Sequence, residues 1–141
     1  MNKRIFLAIT QQDTATQMDG FQTVNINQLQ DIFSCSVEII YCNSFSILSN
    51  DMVYNVLGAI LEKIKPGGQL ILNIFDIKKI CQTYINANMD EKTFFEYIKQ
   101  INNSVNYMDI MSYCQSNQSY KIVDLKKNTL MSLVTVAKTG V

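Results

Sequence analysis

Residues 61–72 read L-E-K-I-K-P-G-G-Q-L-I-L, and this stretch decides the fold of the chain. Pro66 cannot continue a helix, and Gly67 and Gly68 allow the positive φ that tight turns use, so the stretch predicts a helix that ends here. Residues 69–75 follow as an almost uninterrupted apolar run, which predicts a strand buried on both faces. Such a strand directly after a helix is typical of an α/β fold with a parallel sheet.

The helix before this turn carries one apolar stripe. Its members recur at helical spacing and mark a buried face: Met52, Val53, Val56, Leu57, Ile60, Leu61 and Ile64. Ser49 or Asn50 is predicted to cap the amino end of the helix, with Asp51 in its first turn.

Three shorter apolar runs on the amino side predict strands, at residues 3–9, 21–26 and 37–42. Between them we predict a loop at residues 10–20 and a brief helical turn at residues 28–35.

On the carboxyl side, three patterns of helical period predict helices at residues 76–88, 90–102 and 104–115. The first of these places Ile77, Ile80, Cys81, Tyr84 and Ile85 on one side. Two strands, at residues 120–125 and 129–138, are joined by Lys126-Lys127-Asn128 and predict an antiparallel hairpin. The whole chain, residues 1–141, is therefore predicted to be one α/β domain. It has a Rossmann-like, mostly parallel sheet with helices on both faces and a C-terminal antiparallel hairpin.

Composition excludes several classes of function. The chain has no histidine and twelve basic against twelve acidic residues. Cys-His zinc sites and Ser-His or Cys-His catalysis are therefore excluded, and zero net charge argues against a nucleic-acid partner. No apolar run approaches the roughly 20 residues that span a bilayer, and the run at residues 5–9 is too short for a signal peptide. We expect a cytoplasmic protein without a membrane partner.

The four cysteines, Cys35, Cys42, Cys81 and Cys114, form no C-x-x-C pair, which favours buried free thiols in a reducing compartment. Fourteen Asn and eleven Gln indicate a genome rich in A and T.

Charge is divided unevenly along the chain. Residues 1–62 carry two basic and six acidic residues, a net charge of −4, and residues 63–141 carry ten basic and six acidic, a net charge of +4. Such a dipole favours head-to-tail association with a second copy, although ordinary solvated surface charge also explains it.

With the segment Ile64-Lys65-Pro66-Gly67-Gly68 at its centre, this order of elements resembles the class I S-adenosylmethionine-dependent methyltransferases. The corresponding segment of that family reads L-x-x-L-K-P-G-G-x-L-x-I. Val24-Asn25-Ile26-Asn27 is similar to the V-N-x-D segment of the small type 11 group, and the strand ending Ser132-Leu133-Val134-Thr135-Val136-Ala137-Lys138 matches the family's last strand. The resemblance implies a methyltransferase-like topology over nearly the whole chain.

The chain departs from this family at the cofactor positions. The family's first strand runs into a glycine-rich loop whose bare backbone approaches the methionine moiety of S-adenosylmethionine. Here that place reads Ala8-Ile9-Thr10-Gln11-Gln12-Asp13, without a glycine before Gly20. Asn27 stands where the family has an acidic residue for the ribose hydroxyls, and an amide lacks the charge that makes such hydrogen bonds strong.

Two further departures point the same way. The stretch between the second and third strands is shortened, which deletes a helix and a strand beside the adenine. Ser46-Ile47-Leu48 replaces the family's leucine–glutamate–histidine signature. The resemblance therefore implies a truncated, degenerate domain in which Ala8, Thr10, Asn27 and Asn43 are vestigial cofactor positions. It implies no catalytic residue and no metal site.

Polar residues near predicted strand ends are the other candidates for a site: Asp13, Asp19, Asn27, Glu38, Asn43 and Asp76. We interpret them as caps, turn residues or solvated loop residues, and Asp76 as the N-cap of a helix. In the aromatic cluster Tyr84, Phe94, Phe95 and Tyr97, the phenylalanines are predicted to be core. The tyrosines suit either the core or a protein interface.

Two hypotheses follow. In the first, the chain is a non-catalytic methyltransferase-like domain without a cofactor, retained as a binding or assembly module for a protein partner or a second copy, plausibly in a virus or mobile element. In the second, it is an active small methyltransferase that uses S-adenosylmethionine through an atypical loop or with a partner subunit.

Overall fold

The computed structural model describes residues 3–128 and 130–139, and within them one sheet has six strands. The strands are β1 (Arg4–Ala8), β2 (Gln22–Asn25), β3 (Val37–Cys42), β4 (Ile64–Phe75), β5 (Tyr120–Lys127) and β6 (Met131–Lys138). Their order across the sheet is β2-β1-β3-β4-β6-β5. The first four are parallel, and β6 is antiparallel to both neighbours. The mostly parallel sheet and the C-terminal hairpin are thus confirmed.

Within the same residues, five α-helices connect these strands: α1 (Gln11–Ala15), α2 (Val53–Lys63), α3 (Ile77–Ile85), α4 (Glu91–Gln100) and α5 (Tyr107–Ser116). Two short 3₁₀ helices lie at Ile26–Asp31 and Phe45–Ile47. The chain crosses from β1 to β2 in one direction and from β2 to β3 in the other. Because parallel crossovers are right-handed, α1 lies on one face of the sheet, and the first 3₁₀ helix and α2 lie on the opposite face.

The main core lies between the sheet and α2. Alternate strand residues point into it, as the two-residue period of a strand requires: Ile5, Leu7, Ile40, Cys42, Leu70, Leu72, Ile74, Val134 and Val136. Helix α2 contributes Val53, Leu57, Ile60 and Leu61, which is most of the predicted stripe. Helix α5 closes the same core with Ile110 and Cys114.

The turn at residues 64–68 differs from the prediction in where the strand begins. Helix α2 ends at Lys63 and β4 begins at Ile64, not at residue 69. Val37 pairs with Ile64 but Ile39 pairs with Gln69, so residues 65–68 loop out of the register. A Cβ at position 68 would lie 2.7 Å from the carbonyl oxygen of Glu38, which explains why glycine stands there. The backbone of β3 approaches this turn too closely for a side chain.

The predicted start of α2 is wrong. The helix begins at Val53 without a side-chain cap, because the carbonyl of Ser49 accepts from the N–H groups of Met52 and Val53 at 3.1 and 3.0 Å and forms a separate turn. Met52 consequently lies outside the buried stripe, with 54% of its surface exposed.

Two predictions about side-chain burial are also wrong. Phe95 is 47% exposed and Ile85 is 79% exposed, although both were assigned to buried helix faces. Phe94 does pack, since its ring stacks on Tyr84 with centroids 4.3 Å apart. Helix α4 has no buried residue. Its rings contact other elements at two places: Phe94 stacks on Tyr84 of α3, and Tyr97 meets Phe75 of β4 edge to face.

The remaining differences are small. Helix α1 forms within the predicted loop at residues 10–20, and the predicted start of the last strand, Thr129, lies outside the described residues.

All four cysteines are free, but only Cys42 and Cys114 are buried, and Cys35 is exposed. Across residues 3–128 and 130–139, the helices are too short or too polar to cross a membrane, and no cluster of three potential metal ligands forms.

Candidate functional site

The four parallel strands end at one edge of the sheet, and this edge gathers most of the predicted site residues. Ala8 is the last residue of β1 and is fully buried. Thr10 follows β1, Asn27 follows β2, and Asn43 follows β3 directly. Open α/β sheets bind ligands in this position, outside the carboxyl ends of their strands.

The loop after β1 is closed by its own side chains. The Asp13 N–H donates to Oγ1 of Thr10 at 3.0 Å, and Oδ2 of Asp13 accepts from the N–H groups of Ile9 and Thr10 at 3.1 and 3.2 Å. This is a capping box at the start of α1. Asp13 is only 3% exposed, so the carboxylate is held inside the loop. Two backbone donors at the end of β1 are thereby satisfied within the protein.

The negative charge of the Asp13 carboxylate acts on the thiol of Cys42, which lies at the end of β3. Burial and, to a lesser extent, the negative charge of Asp13 together raise the pKa of Cys42 to about 12, against a hydrogen bond with the Ser44 backbone that lowers it. The thiol is therefore protonated at neutral pH, and a protonated buried thiol is neither a nucleophile nor a metal ligand.

Asn27 is exposed and belongs to the first 3₁₀ helix. Its N–H donates to Oδ1 of Asn25 at 2.9 Å, while Oε1 of Gln28 accepts from the Asn25 N–H at 3.2 Å. These bonds cap the 3₁₀ helix and leave the Asn27 side chain at the mouth of a groove beside α2.

Asn43 takes part in an amide pair that the sequence did not reveal. Nδ2 of Asn73, in β4, donates to Oδ1 of Asn43 at 2.9 Å, and Oδ1 of Asn73 is buried without a partner. The one signal in the sequence was a polar residue inside the apolar run at residues 69–75, which strand periodicity alone does not distinguish from a surface position.

The other polar candidates have structural roles. Asp76 is the N-cap of α3, as predicted, with Oδ1 accepting from the Lys79 N–H at 3.1 Å. Asp19 lies in the exposed turn before β2. Glu38 lies at the opposite edge of the sheet, where Oε2 is 3.5 Å from Nε of Arg4. Among the described residues, the side chains of Asp76 and Glu38 bond to Lys79 and Arg4 and not to Thr10, Asn27 or Asn43.

The arrangement of strands and helices is similar to that of several solved methyltransferases. The chain superposes with a TM-score of 0.61 on a SAM-dependent methyltransferase from Archaeoglobus fulgidus, with 10% identity over 98% of this chain and 86% of that one. A protein from Sulfolobus solfataricus described as a putative type 11 methyltransferase gives 0.57, with 11% identity over 97% and 71%. A Burkholderia thailandensis 1,6-didemethyltoxoflavin-N1-methyltransferase, solved with bound 1,6-didemethyltoxoflavin and S-adenosylhomocysteine, gives 0.57, with 12% identity over 98% and 71%.

These similarities show a class I methyltransferase-like fold, as predicted from the sequence. No protein-family model and no curated protein sequence matches the chain. At 10–12% identity the superpositions concern the fold alone, so the roles of Ala8, Thr10, Asn27 and Asn43 stay predictions.

The first loop does not fit S-adenosylmethionine in the manner of a glycine-rich loop. Ile9 and Thr10 carry side chains where bare backbone would be needed, and their N–H groups already donate to Asp13. Asn27 offers an uncharged amide to a ribose, and such hydrogen bonds are weaker than those of a carboxylate.

Proposed function

We propose that this chain is a degenerate methyltransferase-like domain that acts as a binding or assembly module and has no methyl-transfer activity. The observation that carries the proposal is the buried Asp13 carboxylate, which accepts from both N–H groups at the end of β1. A ligand at this loop would have to displace a satisfied, buried charge, and breaking such bonds is costly. The amide-rich composition extends the proposal to a virus or mobile element as the source.

The other positions support the same function. A protonated Cys42 supplies no nucleophile, and the described residues hold no cluster of potential metal ligands. Asn43 is engaged by Asn73. Internal hydrogen bonds thus engage Asp13 and Asn43 at the carboxyl edge of the sheet, which supports a binding or assembly role without catalysis.

Calorimetric titration with S-adenosylhomocysteine and with S-adenosylmethionine tests this proposal. We expect no dissociation constant below about 100 μM, which corresponds to roughly −5.5 kcal/mol. Tighter binding of either compound to the unmodified chain would contradict the proposal. The unbound protein should be folded in the same buffer by circular dichroism.

A loop variant sharpens that test. Thr10→Gly with Gln12→Gly restores glycine at the loop, and new binding of S-adenosylhomocysteine would show that the rest of the pocket is intact. The matched control is Gln11→Gly with Thr14→Gly, which adds two glycines to α1 and leaves both capping-box side chains in place. Binding gained equally by both variants would show that loosening α1, and not the loop itself, is responsible.

The second candidate function is an active small methyltransferase. The exposed Asn27 side chain favours it, because the amide lies at the mouth of a groove where a ribose could be met. Asn27→Asp would then tighten binding of S-adenosylhomocysteine at least tenfold, since a carboxylate makes the stronger hydrogen bonds. Under the first proposal the same variant binds no better than the unmodified chain.

A further inference from the structure

A pocket of about 320 Å³ lies beyond the carboxyl end of β4, between the first residues of α3 and those of α5. Its floor is a row of three side chains across the sheet, because Ser132 of β6 pairs with Ile74 of β4 and with Lys127 of β5. Residues that pair directly in antiparallel strands point to the same face. Ile74 belongs to the main core, so this row lies on the side of the sheet that α2 and α5 cover.

The Ser132 side chain is buried without a partner. Only 5% of its surface is exposed, and its hydroxyl forms no hydrogen bond with any other residue in the ranges 3–128 and 130–139. Val134 and Val136, the next two residues on the same face of β6, are apolar and pack in the core. Burying a hydroxyl without a hydrogen bond is costly, so an acceptor for Ser132 is expected in the pocket itself.

The start of α3 supplies further donors to this pocket. The N–H groups of Ile77 and Lys78 have no acceptor inside the helix, and no other described group accepts from them. The Asp76 carboxylate accepts instead from the Lys79 N–H, at 3.1 Å. Helix α3 has nine residues, so its dipole adds partial positive charge at this end, where anions bind favourably.

The side chains around the pocket carry a positive net charge. Lys78 and Lys127 line it, and an adjoining pocket that shares both lysines adds Lys79. Asp76 is the single carboxylate among the described residues that line either pocket, so three lysines and one carboxylate give a net charge of +2. Within the described part of the chain, no carboxylate oxygen lies within 4.0 Å of Nζ in any of the three lysines.

The α5 side of the pocket is mainly apolar. Tyr107 and Met108 line it there, next to Asn106. Oδ1 of Asn106 accepts from the Asp109 N–H at 3.1 Å, which leaves Nδ2 as a donor. Oδ2 of Asp109 accepts from the Asn106 N–H at 3.0 Å and therefore already occupies the start of α5. The pocket thus combines donors and positive charge from α3 and the sheet with apolar surface from α5.

We propose that this pocket binds the phosphate group of a small phosphorylated molecule. The Ser132 hydroxyl and the N–H groups of Ile77 and Lys78 donate to the phosphate oxygens, and the Lys78 and Lys127 side chains neutralise its charge. A phosphate monoester carries a charge of about −1.5 to −2 at pH 7. This charge matches the net +2 of the lining side chains, whereas a carboxylate carries only −1.

The rest of the ligand is an organic group. A volume of about 320 Å³ lies at the lower end of the roughly 300–1,000 Å³ range of small-molecule sites. Tyr107 and Met108 provide the surface on which this group packs. Because Thr10, Asn27 and Asn43 do not line the pocket, the inference goes beyond the proposed function and does not depend on it.

NMR of the ¹⁵N-labelled full chain, titrated with phenyl phosphate at constant ionic strength, tests this inference. We expect saturable shifts of the Ile77 and Lys78 amide resonances, with a dissociation constant below about 1 mM. Inorganic phosphate should bind about tenfold more weakly, because it lacks a ring to pack on Tyr107 and Met108. Equal affinities would overturn the assignment to an organic phosphate. The absence of a saturable shift at these amides would overturn the site.

Substitutions at the floor of the pocket sharpen the test. Ser132→Ala should weaken binding of phenyl phosphate about tenfold, since it removes a hydrogen bond to a charged group. Lys78→Gln with Lys127→Gln should weaken it about tenfold as well. The matched control is Lys92→Gln with Lys99→Gln, which removes the same charge from exposed side chains of α4 and should not change the affinity. Equal weakening by both lysine pairs would show non-specific attraction of anions and overturn the inference.

Unfolding in urea checks that Ser132 has no partner within the protein. Because the hydroxyl then has no bond to lose, Ser132→Ala should not lower the urea midpoint. A lower midpoint would show that the hydroxyl is bonded inside the protein, which would overturn the inference. Phenyl phosphate should raise the midpoint of the unmodified chain and raise that of Ser132→Ala less, because a ligand stabilises the folded state in proportion to its affinity.

Discussion

The turn at residues 64–68 and the loop at residues 9–13 adjoin β4 and β1, the two neighbours of β3, and differ in their glycine content. At the turn, glycine stands at position 68, where the carbonyl oxygen of Glu38 lies 2.7 Å from the place a Cβ would occupy. At the loop, glycine is absent, and the Asp13 carboxylate occupies the donors of Ile9 and Thr10. The first segment is required by the packing of the sheet, and the second is not.

This difference teaches that the fold and the ligand site depend on separate residues. A glycine that the backbone packing requires cannot change without a loss of stability. A glycine that serves only a cofactor can change if the freed backbone donors find a partner inside the protein. The two segments therefore predict different responses to substitution.

The largest effect is expected for Gly68→Ala. The new Cβ would meet the Glu38 carbonyl oxygen at 2.7 Å and the Lys65 carbonyl oxygen at 3.0 Å, so β3 or the turn must shift. We expect the free energy of unfolding, measured in urea, to fall by about 3 kcal/mol. The control is Gly20→Ala, which has φ +79° and no atom within 4 Å and should lose about 1 kcal/mol. Equal losses would show that the close approach is not what requires Gly68.

On the other side of the comparison, Asp13→Ala should lower the free energy of unfolding by about 2 kcal/mol. The substitution removes the buried carboxylate that accepts from the N–H groups of Ile9 and Thr10, so both donors lose their partner. Asp13→Asn keeps one oxygen acceptor and should lose less. Exposed Asp19→Ala, measured in the same urea series, should stay within about 0.5 kcal/mol. If Asp13→Ala is as mild as Asp19→Ala, the loop is not stabilised by its own carboxylate.

Much of the fold was predictable because it follows from local patterns. Apolar runs located β1, β3 and β4, the helical stripe located α2, and the short link at residues 126–128 located the final hairpin. Periodicity reports which side of an element is apolar, and in a small domain that side is usually buried. For α3 and α4 this inference failed, because Ile85 and Phe95 face no other element of the described chain closely enough to be buried.

The places of the candidate residues in the fold were predictable, but their hydrogen bonds were not. Thr10, Asn27 and Asn43 were expected at strand ends, and the parallel topology places them at one edge. The capping box of Thr10 and Asp13 lies in a polar stretch of residues 10–20, where a five-residue helix gives too little pattern to detect. The pairing of Asn73 with Asn43 joins residues 30 positions apart and depends on strand register, which no local pattern encodes.

The dependence of folding stability on alkaline pH tests the surroundings of the Cys42 thiol beside this loop without a substitution. Because burial raises the pKa of Cys42 from 9.0 to about 12, the unfolded chain loses this proton first as the pH rises. The folded state then binds more protons than the unfolded state, so stability is constant below pH 9 and falls above it. We expect a loss of about 1 kcal/mol between pH 9 and 10. Burial also raises the pKa of Cys114, which adds to the loss in the same pH range, whereas the raised pKa values of Tyr41 and Tyr113 add to it only at higher pH.

The matched variants for this pH effect are Cys42→Ala and Cys35→Ala. Cys42→Ala is less stable at neutral pH through lost packing, but its stability should fall less between pH 9 and 10. Cys35 is exposed, and its removal should leave the pH dependence unchanged. Identical slopes for the unmodified chain and Cys42→Ala would show that the thiol beside Asp13 is not held protonated.

The smallest effect is expected at Asp76, whose carboxylate also accepts a backbone N–H at the start of a helix, but as the N-cap residue and not as the third helical residue of a capping box. Its Oδ1 accepts from the Lys79 N–H at 3.1 Å at the start of α3, but this bond is exposed to solvent. Water can replace a lost cap there, so Asp76→Ala should lower the free energy of unfolding by about 0.7 kcal/mol. Asp76→Asn should be nearly neutral, since asparagine caps helices equally well. Urea unfolding of these variants beside Asp13→Ala compares an exposed N-cap aspartate with a buried aspartate at the third position of a helix. A loss at Asp76 as large as that at Asp13 would mean that capping alone, and not the closure of a buried loop, explains why Asp13 occupies the end of β1.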